Sequence, residues 1–321
     1  MNYRLINNVK ISSICFGTAT FVAGRLFPNK NSILGVESLE FALRKGINFI
    51  HSNSNLKTQW AVRDVLEKID SNKEIFSIIK IETPLNDNFS DLYEFFKNKI
   101  EISLNNLNID KIFAISYEMD TKKTNQKDRL KNPNWITNNY INVKKAFEEL
   151  KLQGKVQNLI CMAHNGLEMG LAINTNLFDG YSAYFNLIDL WPISFLDEIM
   201  KQSKSFIGIR PLKMGIITEN TFYNSSENYD VKVKSYLTNI KNIINGKQTL
   251  QSFSIRFCLA HPVVKSLIVG MSKKSHVKEL INACENPLKL NDFKKISQKL
   301  RKLLIQHKNI YPMNIKRPIF S

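Results

Sequence analysis

No stretch of roughly 18 apolar residues occurs anywhere in the 321-residue chain, so the sequence predicts no membrane-spanning helix. The opening residues, Met1 to Asn8, lack the apolar core of a secretory leader, and cytoplasm is the expected location. The 4 cysteines, Cys15, Cys161, Cys258 and Cys284, are scattered and never form a C-x-x-C pair. That spacing excludes a zinc knuckle and a secreted disulfide scaffold, and no metal site is expected. Neither G-x-G-x-x-G nor the P-loop pattern G-x-x-x-x-G-K-S/T occurs, which removes the usual glycine-rich nucleotide turns. No tyrosine lies between Tyr3 and Tyr93, an absence that matters below.

Positive charge is in excess. The net charge is +17 and the sequence pI is about 9.6. No helix-turn-helix, RNP aromatic pair or zinc-finger spacing accompanies it, and the lysines are spread through the chain. Nucleic acid and membrane are therefore not the expected partners. A small anionic substrate, a nucleotide or a phosphorylated ligand fits the charge equally well, and the sequence gives no oligomeric state. With 43% hydrophobic and 23% charged residues, the chain can bury a large core, and residues 1–321 are expected to form one domain.

The apolar pattern alternates between short runs and helical spacing. Tyr3–Ile6 and Val9–Ile11 flank Asn7-Asn8 and predict a hairpin. Predicted strands follow at Ser12–Phe16, 47–50, Phe76–Ile81, Ile112–Ile115, Val156–Met162, Tyr181–Phe185, Phe206–Ile209 and Val263–Val269, separated by amphipathic helical segments. Residues 120–135 read as a polar lysine-rich loop, with the next helix marked by Val143, Ala146, Phe147 and Leu150. About eight strand–helix units of roughly 35 residues suit a closed (β/α)8 TIM barrel carrying an N-terminal hairpin and a C-terminal helix.

In such a barrel, chemistry sits where strands end and helices begin. Gly46-Ile47-Asn48-Phe49-Ile50-His51-Ser52-Asn53-Ser54-Asn55-Leu56 is one such turn, with the helix from Thr58 after it. It holds a histidine, serines and asparagines, but no carboxylate. Gln59 and Trp60 open the helix, and Trp60 reads as packing.

The order of motifs resembles the aldo-keto reductase superfamily. Cys15-Phe16-Gly17-Thr18-Ala19 is similar to its first strand end, and Ala42 to Ile50 to its second strand with the helix before it. Ser103 to Asp110 resembles its S-L-x-x-L…D helix end, and Leu150 to Val156 its L-x-x-x-G-K-V. Pro211-Leu212-Lys213-Met214-Gly215 is similar to the P-L-x-x-G of strand seven, and Val269-Gly270-Met271-Ser272, on to His276 and Glu279, to the strand-eight phosphate segment. The resemblance implies NADP-linked carbonyl reduction by a tyrosine acid, a lysine, an aspartate and a histidine. It also implies cofactor contacts at Gly17, Thr18, Pro211, Leu212, Gly215, Gly270, Ser272 and Lys273.

Carried over residue by residue, the lysine falls on Lys80. The aspartate position falls on His51, the tyrosine on Leu56 and the histidine on Ile115 or Ser116. Three of the four roles are then replaced, and the chain is a candidate pseudoenzyme. The nicotinamide positions depart as well, to Met162-Ala163, Ser182 and Ile209, and the asparagine expected after Glu279 is Leu280. Tyr117 is the candidate substitute acid. If catalytic, the centre is expected at Lys80 and His51, with His164-Asn165 and Arg210 nearby on the same face; Arg210 suits a carboxylate or phosphate. Two rival readings stand beside the oxidoreductase. One is a non-catalytic barrel binding a nucleotide or a protein partner. The other is a lyase or isomerase acting on an anionic substrate through Lys80 and Arg210.

Overall fold

The computed structural model describes all residues except 26–27, 71, 84–88, 120–131, 225–230 and 308–321. A hairpin comes first. β1 (Tyr3–Ile6) pairs antiparallel with β2 (Val9–Ser12), and Asn7 and Asn8 turn between them at φ 46° and 67°. Asparagine tolerates that left-handed backbone, which is why the dipeptide marks the turn.

Eight parallel strands then close on themselves. They are β3 (Ile14–Gly17), β4 (Phe49–Ser52), β5 (Phe76–Thr83), β6 (Ile112–Met119), β7 (Val156–Met162), β8 (Gly180–Tyr184), β9 (Ser205–Ile209) and β10 (Val264–Gly270), with β10 pairing back onto β3. Around them run α1 (Ser32–Arg44), α2 (Gln59–Leu66), α3 (Phe89–Leu107), α4 (Pro133–Leu152), α5 (Gly166–Thr175), α6 (Ile193–Lys201), α7 (Glu219–Asn224), α8 (Val231–Ile244), α9 (Leu250–Cys258), α10 (Lys274–Glu285) and α11 (Leu290–Gln306). Each predicted strand is present, and the expected (β/α)8 barrel is the observed architecture.

Alternation along the strands divides the core in two. Ile79, Ile81, Ile115 and Tyr117 belong to the larger cluster between barrel and helices. Cys15, Phe49, Ile78, Ala114, Ile160, Ile207 and Ile268 fill the barrel interior together with Ile6 and Ile11 of the hairpin. The hairpin therefore plugs the floor. Arg4 clamps it there, its guanidinium donating to the carbonyls of Leu259 (2.6 Å), His261 (3.3 Å) and Val264. A plugged floor leaves the C-terminal mouth as the open end of the barrel.

Two elements are longer than the periodicity suggested. β6 runs on to Met119, because Ser116 and Glu118 are inward-facing polar residues that break the apolar run without breaking the strand. α4 starts at Pro133, not near Val143. Asn132 accepts from the backbone N–H groups of Asn134 and Trp135, and proline suits the first helical turn. The lysine-rich part of the expected loop lies outside the described residues. Trp60, expected to pack, is exposed on α2.

α1 lies against the segment that follows β3. A Cβ placed on Gly35 would stand 1.5 Å from the Phe21 carbonyl oxygen, a contact only glycine permits. Gly35→Ala should therefore destabilise the fold by about 2 kcal/mol or more, read as a lower denaturant midpoint. An unchanged midpoint would contradict this packing.

Candidate active site

The strand ends bring four ionisable residues together at the mouth. On β5, Lys80 and Glu82 both point inward, since they alternate with Ile79 and Ile81 of the outer core. The β5–β6 register sets Ser116 opposite Lys80 and Glu118 opposite Glu82. Lys80 Nζ pairs with Glu82 Oε1 at 2.8 Å and with Glu118 Oε2. The other Glu118 oxygen, Oε1, meets His164 Nε2 at 2.7 Å. Glu118 is almost wholly buried, so its charge needs these partners to be tolerable.

His51 enters from β4, opposite Gly17 on one side and Ile78 on the other. Burial first, and then the nearby Lys80 charge, push its pKa down to about 3. The imidazole is accordingly neutral over the physiological range. His51 and Lys80, paired on sequence grounds, do share one electrostatic environment.

The turn after His51 is held rigidly. Asn53 Oδ1 accepts from the Asn55 N–H, Ser52 Oγ accepts from Gln59 Nε2 at 3.1 Å, and Gln59 Oε1 accepts from Asn106 Nδ2. Leu56 is buried, and its carbonyl accepts from the Arg25 N–H. The turn is a structural lock and offers no proton donor at Leu56.

Five residues change the picture drawn from sequence. Tyr117 points outward and donates its hydroxyl to Asn139 Oδ1 at 2.5 Å, so it does not enter the mouth. Ile115 also points outward, while Ser116 faces inward with a buried hydroxyl that has no hydrogen-bond partner. The group that meets Lys80 from β6 is Glu118, two residues beyond the positions assigned from sequence. The tyrosine at the mouth is instead Tyr184, the last residue of β8, whose ring centroid lies 6.0 Å from that of His164. Burial raises its phenol pKa, Arg210 opposes the rise, and Asp189 and Glu82 add to it. A count of inward positions from the true strand ends would have found Glu118 and Tyr184; apolar-run lengths alone could not.

The remaining sites divide. Asn165 is structural, since its side chain accepts from the Glu168 N–H and caps α5. Gly17 and Gly270 end β3 and β10, with Thr18, Ser272 and Lys273 just beyond those ends, while Pro211, Leu212 and Gly215 follow β9; these three strands are neighbours. Gly17 and Gly270 are small for reasons of packing: a Cβ on the first would come 3.2 Å from the Val269 backbone, and on the second 2.5 Å from Thr20 Oγ1. Lys273, Lys30 and His276 lie near one another where α10 begins, with the Glu279 carboxylate also acting on His276. Burial, and next the Lys273 charge, lower the pKa of both Lys30 and His276. That donor set fits an anionic phosphate. At the other end, Met162 and Ile209 are buried and apolar, and Ser182 Oγ donates weakly to the Cys161 carbonyl at 3.5 Å. Among the described residues no cluster of three or more histidine, cysteine, aspartate or glutamate side chains could hold a metal, and no helix is long and apolar enough to cross a membrane. A surface hollow of about 420 Å³, lined by Asn7, Lys111 and Asn158 among others, is at the hairpin end of the barrel, away from all these groups.

A plugged (β/α)8 barrel with its ionisable residues at the C-terminal mouth is an architecture on which many different chemistries are carried. The chain belongs to the aldo/keto reductase family, which matches it over residues 13–301. In structure it is similar to the holo form of aldo-keto reductase AKR11C1 from Bacillus halodurans, at TM-score 0.74 and 17% identity over 94% of this chain and 96% of that one. It is also similar to the glycerol dehydrogenase AKR11B4 from Gluconobacter oxydans, at TM-score 0.70 and 15% identity over 98% and 96%. In sequence it shares 26% identity over 157 residues, 43% of this chain, with the uncharacterized oxidoreductase YqkF of Bacillus subtilis (strain 168), a match that spans 48% of that relative.

The neutral His51 has a thermodynamic consequence. Above pH 6.5 the imidazole is neutral in both folded and unfolded chains. Between pH 6.5 and about 3 the unfolded chain takes up a proton that the folded chain refuses, so stability falls as pH falls. His51→Gln should remove that slope, worth up to about 1.4 kcal/mol per pH unit, when denaturant midpoints are compared between pH 7 and pH 5. Parallel curves for the variant and the natural chain would overturn the assignment.

Proposed function

We propose that the chain is an NADP-linked oxidoreductase of the aldo-keto reductase type whose polar centre, Lys80 with His51, replaces the family's usual carbonyl-reduction machinery. The observation that carries this reading is the pairing of Lys80 with two carboxylates in the barrel mouth, beside a neutral histidine and next to the strands that bear the phosphate-type cations. The cofactor supplies a hydride when bound. Ser272, Lys273, Lys30 and His276 would hold its phosphate end, with Gly17, Thr18, Pro211, Leu212, Gly215 and Gly270 forming the wall of that groove.

The chain's own residues suggest the division of labour. Lys80, fixed by Glu82 and Glu118, directs a positive charge at a substrate oxygen. His51 stays neutral and contributes hydrogen bonds, not net charge. His164 lies between Glu118 and Tyr184 and is the group best connected to move a proton. Lyase or isomerase chemistry through a Schiff base at Lys80 is less well supported, because two adjacent carboxylates favour the ammonium form, which is not a nucleophile. The second reading that an observation favours is a barrel that binds nucleotide without turnover: Leu56, Met162 and Ile209 are apolar where a nicotinamide and a proton donor are expected. The phosphorylated cofactor, the anionic substrate and a cytoplasmic setting all belong to this proposal.

NADPH fluorescence titration tests it. Binding at micromolar concentration, weakened at least ten-fold in Lys273→Glu, is the expected result, with oxidation of bound NADPH by an aldehyde panel lost in Lys80→Met. Binding without oxidation by the natural chain selects the non-catalytic reading. No binding at millimolar NADPH removes the proposal.

A further inference from the structure

Arg210 is the mouth cation that the constellation above leaves out. It follows β9 directly, beside Tyr184 on the neighbouring strand, and its guanidinium carbon lies 4.3 Å from the Tyr184 ring centroid. Every carboxylate at the mouth is engaged elsewhere. Glu82 and Glu118 hold Lys80, and Asp189 holds Lys213 through both oxygens at 2.7 and 2.8 Å. Among the described residues, no carboxylate lies within ion-pair distance of Arg210, and its side chain is exposed.

Its backbone is held in place at some cost. Arg210 sits at φ 55°, a left-handed conformation that arginine disfavours by about 1–2 kcal/mol. Three hydrogen bonds fix it there. Its N–H donates to the Ile268 carbonyl at 3.3 Å, and its carbonyl accepts from the Lys213 N–H at 2.8 Å and from Asn186 Nδ2 at 3.1 Å. Asn186 is itself buried and tied to Asp189, so the same network that neutralises Lys213 sets the position of Arg210. The backbone therefore holds the planar fork of Arg210 at the mouth with no carboxylate partner among the described residues. Resting on an aromatic face restricts the guanidinium without consuming its edge N–H donors, which favours a bidentate carboxylate.

We propose that Arg210 is a specificity-determining residue that binds the carboxylate of a short-chain oxo acid, laying the rest of that substrate along the Tyr184 ring toward His164. The inference rests on the oxidoreductase reading for the word substrate, but not for the anion site itself. Tyr184 is the shared neighbour: the Arg210 guanidinium lies 4.3 Å from its ring and the His164 ring 6.0 Å from it, and His164 in turn meets Glu118 of the Lys80 centre.

Succinate, a dicarboxylate of matching length that cannot be reduced at a carbonyl, is the probe. Its binding is measured by calorimetry on the full chain without cofactor, for the natural protein, Arg210→Gly and Arg210→Lys. Glycine suits φ 55°, so Arg210→Gly should melt no lower than the natural protein while removing the fork. The expected result is binding weakened roughly 10- to 100-fold in Arg210→Gly and only partly restored in Arg210→Lys. Succinic semialdehyde should then turn over with a lower KM than butanal in the natural protein, an advantage lost in Arg210→Gly. Equal succinate affinity in all three proteins, or no binding to the natural one, overturns the proposal. Loss of succinate binding in Arg210→Gly, in a protein that binds no NADPH, would keep the anion site and discard the oxidoreductase reading.

Discussion

The contact between Lys80 and Glu118 governs the mouth of this barrel. Glu118 is a carboxylate inside a protein wall, and a charge so placed is tolerable only when paired. Lys80 supplies the partner, Glu82 shares it, and His164 takes the remaining Glu118 oxygen. The chain of contacts fixes four side chains, from β5, β6 and the end of β7, in one arrangement. It also sets the charge that His51 feels, which together with burial keeps that imidazole neutral. Breaking one partner from such a pair typically costs about 3–5 kcal/mol, so neither residue is free to vary alone.

How much of this could be read in the sequence depends on the kind of signal. The strands were legible because parallel barrel strands are apolar on both faces and stand out as short runs. The hairpin was legible in Asn7-Asn8, and Lys80 in its position within an apolar strand. Glu118 was not, because β6 looks finished at Ile115 when only apolar residues are counted. The strand continues through Ser116 and Glu118, whose polar side chains point into the mouth. Tyr184 was missed for a related reason: it closes an apolar run and reads as core. Tyr117 was misread in the opposite sense, since a tyrosine near a strand end attracts attention while its side chain points at Asn139 in the outer layer. α4 began ten residues early because its start signal is the Asn132-Pro133 cap and not its apolar spacing.

The residues at the start of α10 and those at the ends of β7 and β9 differ in character. Lys30, Lys273 and His276 stand near the first turn of α10, where backbone N–H groups favour an anion. The ends of β7 and β9 offer Met162 and Ile209. That contrast is what the proposal of altered chemistry with a nucleotide cofactor rests on. The excess of positive charge over the whole chain agrees with an anionic ligand without identifying it.

Imidazole proton resonances report on this arrangement directly, because the chain has only 5 histidines. On titration with NADP⁺, His51 and His164 at the mouth and His276 at the start of α10 should shift together and saturate at one concentration. His261, buried beside the hairpin and facing Asp197, should stay fixed. Shifts confined to His276, or no shift at any of the three, would contradict a cofactor reaching the Lys80–Glu118 centre.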